Sequence, residues 1–284
     1  MNKIGLVLEG GGMRGAYTAG VLTWFIDNNI VFDYGVGISS GAISICSYYL
    51  KDKDFLYNVS VNYMSDKNNV GIRPLLKEGR YVGYKYMFDD LLKKQVKYDT
   101  SKLVKDKINL EIGLYDLSKC DNLFVGPEFL DKDLQVLKAS CSLPIAGNIV
   151  DYQGYRFLDA GIKTMIPIKQ SIDNGNNKHF VVITKPDGYT RKGANIIMRY
   201  LMKFNYAKYP LMVKQYANRH LQYDKEIKKV YQEKEKGNAY IIRPSEKINV
   251  KRFSGDQENL KKLFYLGYSD MDNKKEEIIK FINN

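Results

Sequence analysis

A serine between two glycines is the first residue whose setting indicates chemistry. Gly37-Ile38-Ser39-Ser40-Gly41 matches the Gly-x-Ser-x-Gly pattern, in which a tight turn between a strand and a helix lifts the serine hydroxyl above a sheet. The amino end of the following helix favours negative charge developing at Ser39. The same residues fit a plain turn in which Ser39 caps the next helix, because serine is a preferred N-cap. The pattern alone leaves a nucleophile and a helix cap equally open.

A glycine-rich loop earlier in the chain has two functional interpretations. As an oxyanion hole, its consecutive backbone N–H groups converge on the carbonyl oxygen of an ester, and Arg14 adds positive charge. As Gly-x-Gly-x-x-Gly it fits a dinucleotide fingerprint with Asp33 as the ribose-binding acid, but that requires a strand ending at Asp33, whereas the apolar run continues to Ser39. The missing Gly-Lys-Ser/Thr ending excludes a Walker-type phosphate loop. The loop residues are Gly10, Gly11, Gly12, Met13, Arg14 and Gly15.

An aspartate after the apolar stretch Tyr155 to Leu158 is the candidate partner of Ser39. Asp159-Ala160-Gly161 places a carboxylate beside small residues at a strand end, where it can project into a site at the carboxyl edge of a parallel sheet. Taken alone, such an aspartate is more often a turn or cap residue. His179 starts a strand and His220 lies in a basic helix, so we expect both histidines to be solvated rather than catalytic. The residues therefore favour a Ser-Asp pair over a Ser-His-Asp triad.

Repeated strand-to-helix units must position these residues. Two such units open the chain, Lys3 to Leu8 before Ala16 to Ile26, and Ile30 to Ile38 before Gly41 to Leu50. They predict an α/β fold with three layers, α/β/α, around a mainly parallel sheet. Later predicted strands are Ile108 to Leu114, Tyr155 to Leu158, Phe180 to Thr184 and Ala239 to Ile242. Later predicted helices are Tyr84 to Lys97, Asp131 to Ala139 and Ile196 to Val230.

The order of the three motifs resembles that of a known family. EGGGMRGAYTAGVL, GISSGA and FLDAG resemble the oxyanion loop, nucleophile elbow and Asp-Gly-Gly or Asp-Gly-Ala motif of the patatin-like phospholipases. The segment Ala139 to Pro144 also resembles the family's small-residue stretch, and the resemblance extends to about Pro167. It implies a patatin-like fold with a Ser39–Asp159 dyad and an oxyanion hole in the glycine loop. Ala160 departs from the usual glycine, and Leu8-Glu9 precedes the glycines where many relatives differ; neither change removes a reacting group.

The motifs predict a serine esterase without a cofactor or a metal ion, and the resemblance implies that it hydrolyses acyl lipids as a phospholipase A or lysophospholipase. An acyltransferase or thioesterase on the same scaffold and a non-catalytic regulatory protein are the alternatives. An intact Ser39, Asp159 and glycine loop argue against the regulatory protein. The sequence does not specify the acyl chain length, the headgroup or the oligomeric state.

Charge limits the partners. The chain has 284 residues, of which 44% are hydrophobic and 27% charged, as in ordinary globular proteins, and its net charge of +12 favours anionic partners. No nucleic-acid-binding motif accompanies this charge, so we expect no nucleic acid partner. Residues 185–229 contain eleven Lys or Arg against three Asp or Glu, mixed with aromatic residues. This mixture is typical either of a solvated helical face or of peripheral contact with an anionic membrane surface.

The remaining features concern location and organisation. Cys46, Cys120 and Cys141 show no paired spacing, which favours a reducing compartment. The short apolar run at the amino terminus does not suit a secretory leader, and no stretch is apolar enough to span a bilayer. We therefore expect a cytoplasmic protein that meets the inner membrane surface only peripherally. We expect residues 1–190 to form the catalytic core and residues 191–284 a mostly helical extension packed on it.

Overall fold

The protein is built on one mixed sheet, and the computed structural model describes residues 3–284. Its strands are β1 (Ile4–Leu8), β2 (Tyr34–Ile38), β3 (Leu110–Asp116), β4 (Asp121–Val125), β5 (Val150–Tyr152), β6 (Tyr155–Asp159), β7 (Lys178–Val182) and β8 (Ala239–Ile242). They lie in the order β5-β6-β3-β2-β1-β7-β8, with β4 also paired to β3. The pairs that join β3, β2, β1, β7 and β8 are parallel, whereas β4, β5 and β6 pair antiparallel.

Helices cover both faces of this sheet. They are α1 (Gly15–Asp27), α2 (Ser40–Tyr49), α3 (Lys53–Tyr57), α4 (Ile72–Glu78), α5 (Ser101–Lys105), α6 (Gln135–Cys141), α7 (Ile168–Asp173), α8 (Ile196–Asn205), α9 (Pro210–Ala217), α10 (Arg219–Glu235), α11 (Gln257–Asn273) and α12 (Lys275–Asn283). Two further segments, Asn58–Tyr63 and Lys85–Val96, are wound as π-helices. No helix within residues 3–284 is long and apolar enough to cross a membrane.

Alternating strand side chains build a core on each face of the sheet. Leu6 and Leu8 of β1 point into the core that contains α1, α2 and α11, whereas Val7 points into the core that contains α7 and α10. Strands buried on both faces in this way are typical of parallel sheets. The predicted three-layer α/β/α fold with a mainly parallel sheet is therefore confirmed.

Most predicted elements lie close to their observed bounds, with instructive differences. The second strand begins at Tyr34 rather than Ile30, and the predicted helix Ile196 to Val230 is three helices. One break precedes Pro210, which has no N–H to continue the preceding helix and restricts the residue before it. The strands β4 and β5 were not predicted, because β4 begins with two polar residues and β5 has only three residues, one of them an aspartate.

The segment beyond residue 190 contributes to both the sheet and its cover. Strand β8 pairs with β7, and α11 packs against α1 at close range. A Cβ added at Gly20 would lie 1.9 Å from the carbonyl oxygen of Phe264, and one added at Gly267 would lie 2.2 Å from that of Tyr17. Neither helix can therefore carry a side chain at these positions. The proposed boundary at residue 190 stays a prediction.

The close contact of α1 and α11 predicts a large cost for one added methyl group. We expect Gly267→Ala to lower the free energy of unfolding by about 1 to 3 kcal/mol, because the methyl group must push the two backbones apart. Lys261→Ala, at an exposed position of the same helix, is the matched control and should change it by less than about 0.5 kcal/mol. Urea unfolding followed by circular dichroism measures both; equal stability of the two variants would contradict the packing described.

Candidate active site

Ser39 lies in the turn between β2 and α2, at the carboxyl edge of the parallel strands, and is 9% exposed. Its backbone has φ 57° and ψ −125°, a conformation that residues other than glycine rarely adopt. Gly37 and Gly41 allow this turn, because a Cβ on Gly37 would lie 2.3 Å from the Gly41 carbonyl oxygen. The Ser39 N–H donates to Ser140 Oγ at 3.1 Å, and that hydroxyl donates to the Gly113 carbonyl at 2.8 Å. The strained turn is thus held from below by a buried serine.

Asp159 ends β6 and is 1% exposed. Its Oδ1 accepts a hydrogen bond from the Gly161 N–H at 2.7 Å. Burial, the largest influence, raises the pKa of the carboxyl, while the Gly161 amide and the Ser39 hydroxyl lower it. The guanidinium groups of Arg219 and Arg252 also lower it. The Ser39 hydroxyl is thus a neighbour of the carboxylate.

The glycine loop follows β1 and lies against the serine turn. A Cβ on Gly10 would lie 3.2 Å from Cβ of Ser39. The Gly10 N–H donates to the Met165 carbonyl at 3.2 Å, and the Gly11 N–H donates to Ser40 Oγ at 3.0 Å. These bonds fix the loop in place but leave neither amide free for a substrate oxygen.

Gly12 is the loop residue with an amide to offer. Its φ of +58° favours glycine, and its N–H has no acceptor among the residues described. The Met13 N–H donates to the Arg252 carbonyl at 3.1 Å, and Arg14 Nε donates to the Val250 carbonyl at 3.3 Å. The segment from Val250 to Arg252 therefore covers the far side of the loop.

One small pocket joins the three predicted motifs. It is lined by residues of the glycine loop, the serine turn and the aspartate motif, together with two arginines from the carboxyl-terminal part of the chain, and includes Gly10, Gly12, Ser39, Asp159, Arg219 and Arg252. An adjoining apolar cavity also reaches Ser39 and is lined by residues that include Ile43, Met64, Met87, Phe88, Leu143 and Phe253. Gly15 begins α1 and the buried Ala160 follows Asp159, and neither lines the pocket that the motifs share.

Comparison with known proteins identifies the family of this chain. The family model described as patatin-like phospholipase matches residues 6–172, more than half of the chain and all three motifs. The chain belongs to the patatin-like phospholipase family. A second model, described as a domain of unknown function, DUF6363, matches residues 209–283.

One sequence relative and one solved structure bear on the extent and fold of this patatin-like protein. It is 25% identical over 196 residues to the uncharacterized protein YjjU of Escherichia coli strain K12, covering 65% of this chain and 52% of YjjU. The chain thus spans about half the length of that curated relative. It is also similar to the crystal structure of VipD from Legionella pneumophila, with a TM-score of 0.51 and 13% identity, over 96% of this chain and 66% of VipD. At that identity the likeness shows the fold.

A buried ion pair behind the glycine loop was not predicted. Glu9, fully buried, binds Lys185 through Oε1 and accepts hydrogen bonds at Oε2 from the N–H of Thr184 at 2.7 Å and its hydroxyl at 2.8 Å. Burial lowers the pKa of Lys185 to about 8, although Glu9 opposes this. The pair ties the start of the loop to the end of β7. The sequence analysis identified Glu9 only as a departure from the family pattern. It missed the ion pair because Lys185 lies far along the chain.

Helix α10 reaches the same loop through Glu226. Its Oε2 accepts hydrogen bonds from the N–H groups of Met165 at 3.0 Å and Ile166 at 2.9 Å. The Met165 carbonyl in turn holds the Gly10 amide. Burial raises the pKa of Glu226 to about 7, against the opposing effect of these amides. The carboxyl-terminal part of the chain therefore supports the predicted oxyanion loop.

Three polar residues from the sequence analysis lie away from the pocket. His179 pairs with Gly5 at the amino end of the parallel strands, the edge opposite Ser39. The expectation that His179 is solvated was wrong, since it is 2% exposed and its Nδ1 bonds to the Ser171 hydroxyl at 2.9 Å. Asp33 precedes β2 at that same amino edge, so it cannot serve a nucleotide at the glycine loop. His220 is half-buried at the start of α10.

Residues 3–284 contain no group of three or more His, Cys, Asp or Glu suited to a metal ion.

The raised pKa of Glu226 predicts how stability depends on pH. The folded chain binds this proton more tightly than the unfolded chain, so the stabilisation is full near pH 4 and is lost as the pH rises through about 7. Glu226→Gln keeps an acceptor for both amides and cannot ionise. We expect the variant to exceed the original chain in free energy of unfolding by about 1 to 3 kcal/mol at about pH 8, with no excess at about pH 4. Urea unfolding at both pH values tests this, and a less stable variant at pH 8 would contradict it.

Proposed function

We propose that this chain hydrolyses carboxylic esters of acyl lipids, with Ser39 as nucleophile and Asp159 as its base. The observation that carries the proposal is a serine in a strained turn that shares one pocket with a buried carboxylate. Membership of the patatin-like phospholipase family supports lipid acyl hydrolysis in general. The Ser-Asp pair and a substrate of the phospholipid or lysophospholipid kind are the specific parts of the proposal.

The reaction then runs in two steps. Asp159 takes the proton of Ser39 as Oγ forms a bond to the ester carbonyl carbon, and the leaving alcohol departs with that proton when the tetrahedral intermediate collapses. Water attacks the resulting acyl-serine and gives a proton to Asp159. That proton returns to Ser39 as the fatty acid leaves.

An aspartate is a weak base at neutral pH, with an ordinary pKa of about 3.9. Burial of Asp159 raises its pKa and so strengthens it as a base. The rest of the barrier must be lowered by donors to the oxyanion. The Gly12 amide is the available backbone donor, and the Met13 amide becomes a second one if the Arg252 carbonyl moves away.

The apolar cavity beside Ser39 suits the acyl chain. Its lining is mostly aliphatic, aromatic and methionine side chains contributed by α2, the π-helical segment Lys85–Val96 and the segment near Phe253. Methionine and aromatic side chains adapt to flexible hydrocarbon at low cost. An acyl chain in this cavity places its ester carbonyl at Ser39.

Two substitutions test the dyad. We expect Ser39→Ala to abolish hydrolysis of a lysophospholipid, because the variant lacks the oxygen that attacks the ester. We expect Asp159→Asn to lower kcat/KM by at least about a hundredfold, because the nucleophile then lacks its base. Ser101→Ala and Asp106→Asn, at exposed positions of α5 and just after it, are the matched controls and should keep full activity. Fatty acid release by the purified, folded variants is the measurement. Undiminished turnover by Asp159→Asn would show that another group is the base.

We further propose that helix α8 contacts an anionic membrane surface. Its exposed side chains include Ile196, Ile197, Tyr200 and Phe204, with Arg199 and Lys203 among them. An apolar stripe flanked by cations fits the boundary between headgroups and acyl chains of an anionic bilayer. This surface would bring the protein to its lipid substrate without a spanning helix.

Vesicle flotation tests that contact. We expect the protein to float with vesicles that contain phosphatidylglycerol and much less with pure phosphatidylcholine, because both charge and apolar burial contribute. The double variant Ile197→Glu, Phe204→Glu should lose this binding. Val31→Glu, at an exposed apolar position before β2, is the control and should keep it. Binding that is equal for both vesicle types, or unchanged in the double variant, would remove the proposal.

A further inference from the structure

Two arginines of the carboxyl-terminal part of the chain line the pocket of Ser39 and Asp159. Arg219 begins α10, and Arg252 lies between β8 and α11. A Cβ on Gly161 would lie 3.4 Å from Nη2 of Arg219, which shows how closely the guanidinium passes the aspartate motif. We call Arg219 and Arg252 the arginine pair.

Arg219 is buried without a charged partner. It is 6% exposed, its Nε has no hydrogen-bond partner, and no carboxylate among the described residues forms an ion pair with it. Its guanidinium carbon lies 4.9 Å from the centre of the Tyr216 ring, which supports the cation on one face only. A buried donor without an acceptor costs free energy, so an arginine kept in this setting indicates a missing partner.

The surroundings of the arginine pair are strongly positive. The pKa of Arg219 is lowered to about 9, mainly by burial and in addition by the charges of Arg252 and Arg191, while Asp159 opposes them. The nearby Glu9 is already bound to Lys185. Arg252 is half-buried, and its side chain makes no hydrogen bond or ion pair within the part of the chain that the structure describes. The pocket therefore holds more cationic than anionic groups before any ligand enters it.

We propose that the arginine pair forms a subsite that binds the phosphate group of the lipid substrate, beside the ester that Ser39 attacks. This inference rests on the proposed function, since it assigns the headgroup of the ester that Ser39 attacks. Guanidinium groups bind phosphate oxygens through paired N–H donors and remain charged when buried. The phosphate and the acyl ester of such a lipid are separated by only a few bonds, and the arginine pair lines the same pocket as Ser39. Phosphate bound there also supplies the acceptor that Arg219 lacks.

A different role for Arg219 would be to keep Asp159 ionised through its charge. That role would affect every ester equally, whereas a phosphate subsite distinguishes substrates with and without the phosphate. The ratio of kcat/KM for the two kinds of substrate therefore separates the two roles.

The test compares a lysophosphatidate with the monoacylglycerol that carries the same acyl chain. We expect the original chain to prefer the lysophosphatidate, and we expect Arg219→Gln and Arg252→Gln each to lower that preference at least about tenfold. Arg73→Gln, at an exposed position of α4, is the matched control and should leave the preference unchanged. Circular dichroism checks that the variants fold. If Arg219→Gln does not fold, Arg252→Gln still tests the subsite, because Arg252 is only half-buried. An equal loss on both substrates, or no preference in the original chain, would overturn the subsite.

Inhibition of monoacylglycerol cleavage shows whether the arginine pair binds the phosphate of a lipid headgroup or free inorganic phosphate. Glycerol phosphate should inhibit more strongly than inorganic phosphate at the same concentration, and less strongly in both arginine variants; equal inhibition by the two anions would assign the pocket to free phosphate instead. If the proposed function itself is wrong, the result differs from that of a wrong subsite, because neither lipid is then cleaved in a way that depends on Ser39. Calorimetric titration with glycerol phosphate would still decide that case, since binding lost in Arg252→Gln supports the anion subsite and absence of binding overturns it.

Discussion

The backbone turn at Ser39 is the constraint on which the rest of the site depends. A residue other than glycine held at positive φ costs on the order of 1 to 3 kcal/mol, so the surrounding structure must over-determine it. Parallel pairing of β2 on both sides, contact of Gly37 with Gly41 and the hydrogen bond from the Ser39 amide to Ser140 supply that support. The result is a hydroxyl at a fixed position above the sheet, beside a buried carboxylate from a strand more than a hundred residues later.

The carboxyl-terminal part of the chain belongs to the site as much as to the fold. Through Glu226 it holds the backbone that in turn holds the Gly10 amide, and through the Arg252 carbonyl it occupies the Met13 amide. It also contributes the arginine pair. The family match ends at residue 172, so these contacts come from a segment matched instead by a domain of unknown function. Under the function proposed above, that segment positions the glycine loop and sets the preference for the headgroup of the substrate.

Sequence predicted the parts of the site that are local. The serine turn, the glycine loop and the aspartate motif each consist of a few adjacent residues whose backbone demands can be recognised from glycines and small side chains, and the strands that carry them are apolar runs. Ser140 and Lys185 bind partners far along the chain, and Arg219 reaches the pocket only through the fold. Nothing in the neighbouring residues of these three distinguishes them from other serines or basic residues. His179 was misjudged for the same reason, because its burial depends on packing against α7. The Met13 amide is likewise occupied by the carbonyl of Arg252, whose position only the folded chain determines.

The proposed reaction requires Ser39 to be an activated nucleophile with Asp159 as its base. Reaction with a fluorophosphonate probe tests this requirement, because the probe labels a serine that the protein has made reactive and leaves ordinary serines unmodified. Mass spectrometry of the labelled protein should find the probe on Ser39, with labelling much slower in Asp159→Asn and absent after unfolding. Labelling at a different residue, or no labelling of the folded protein, would contradict the account.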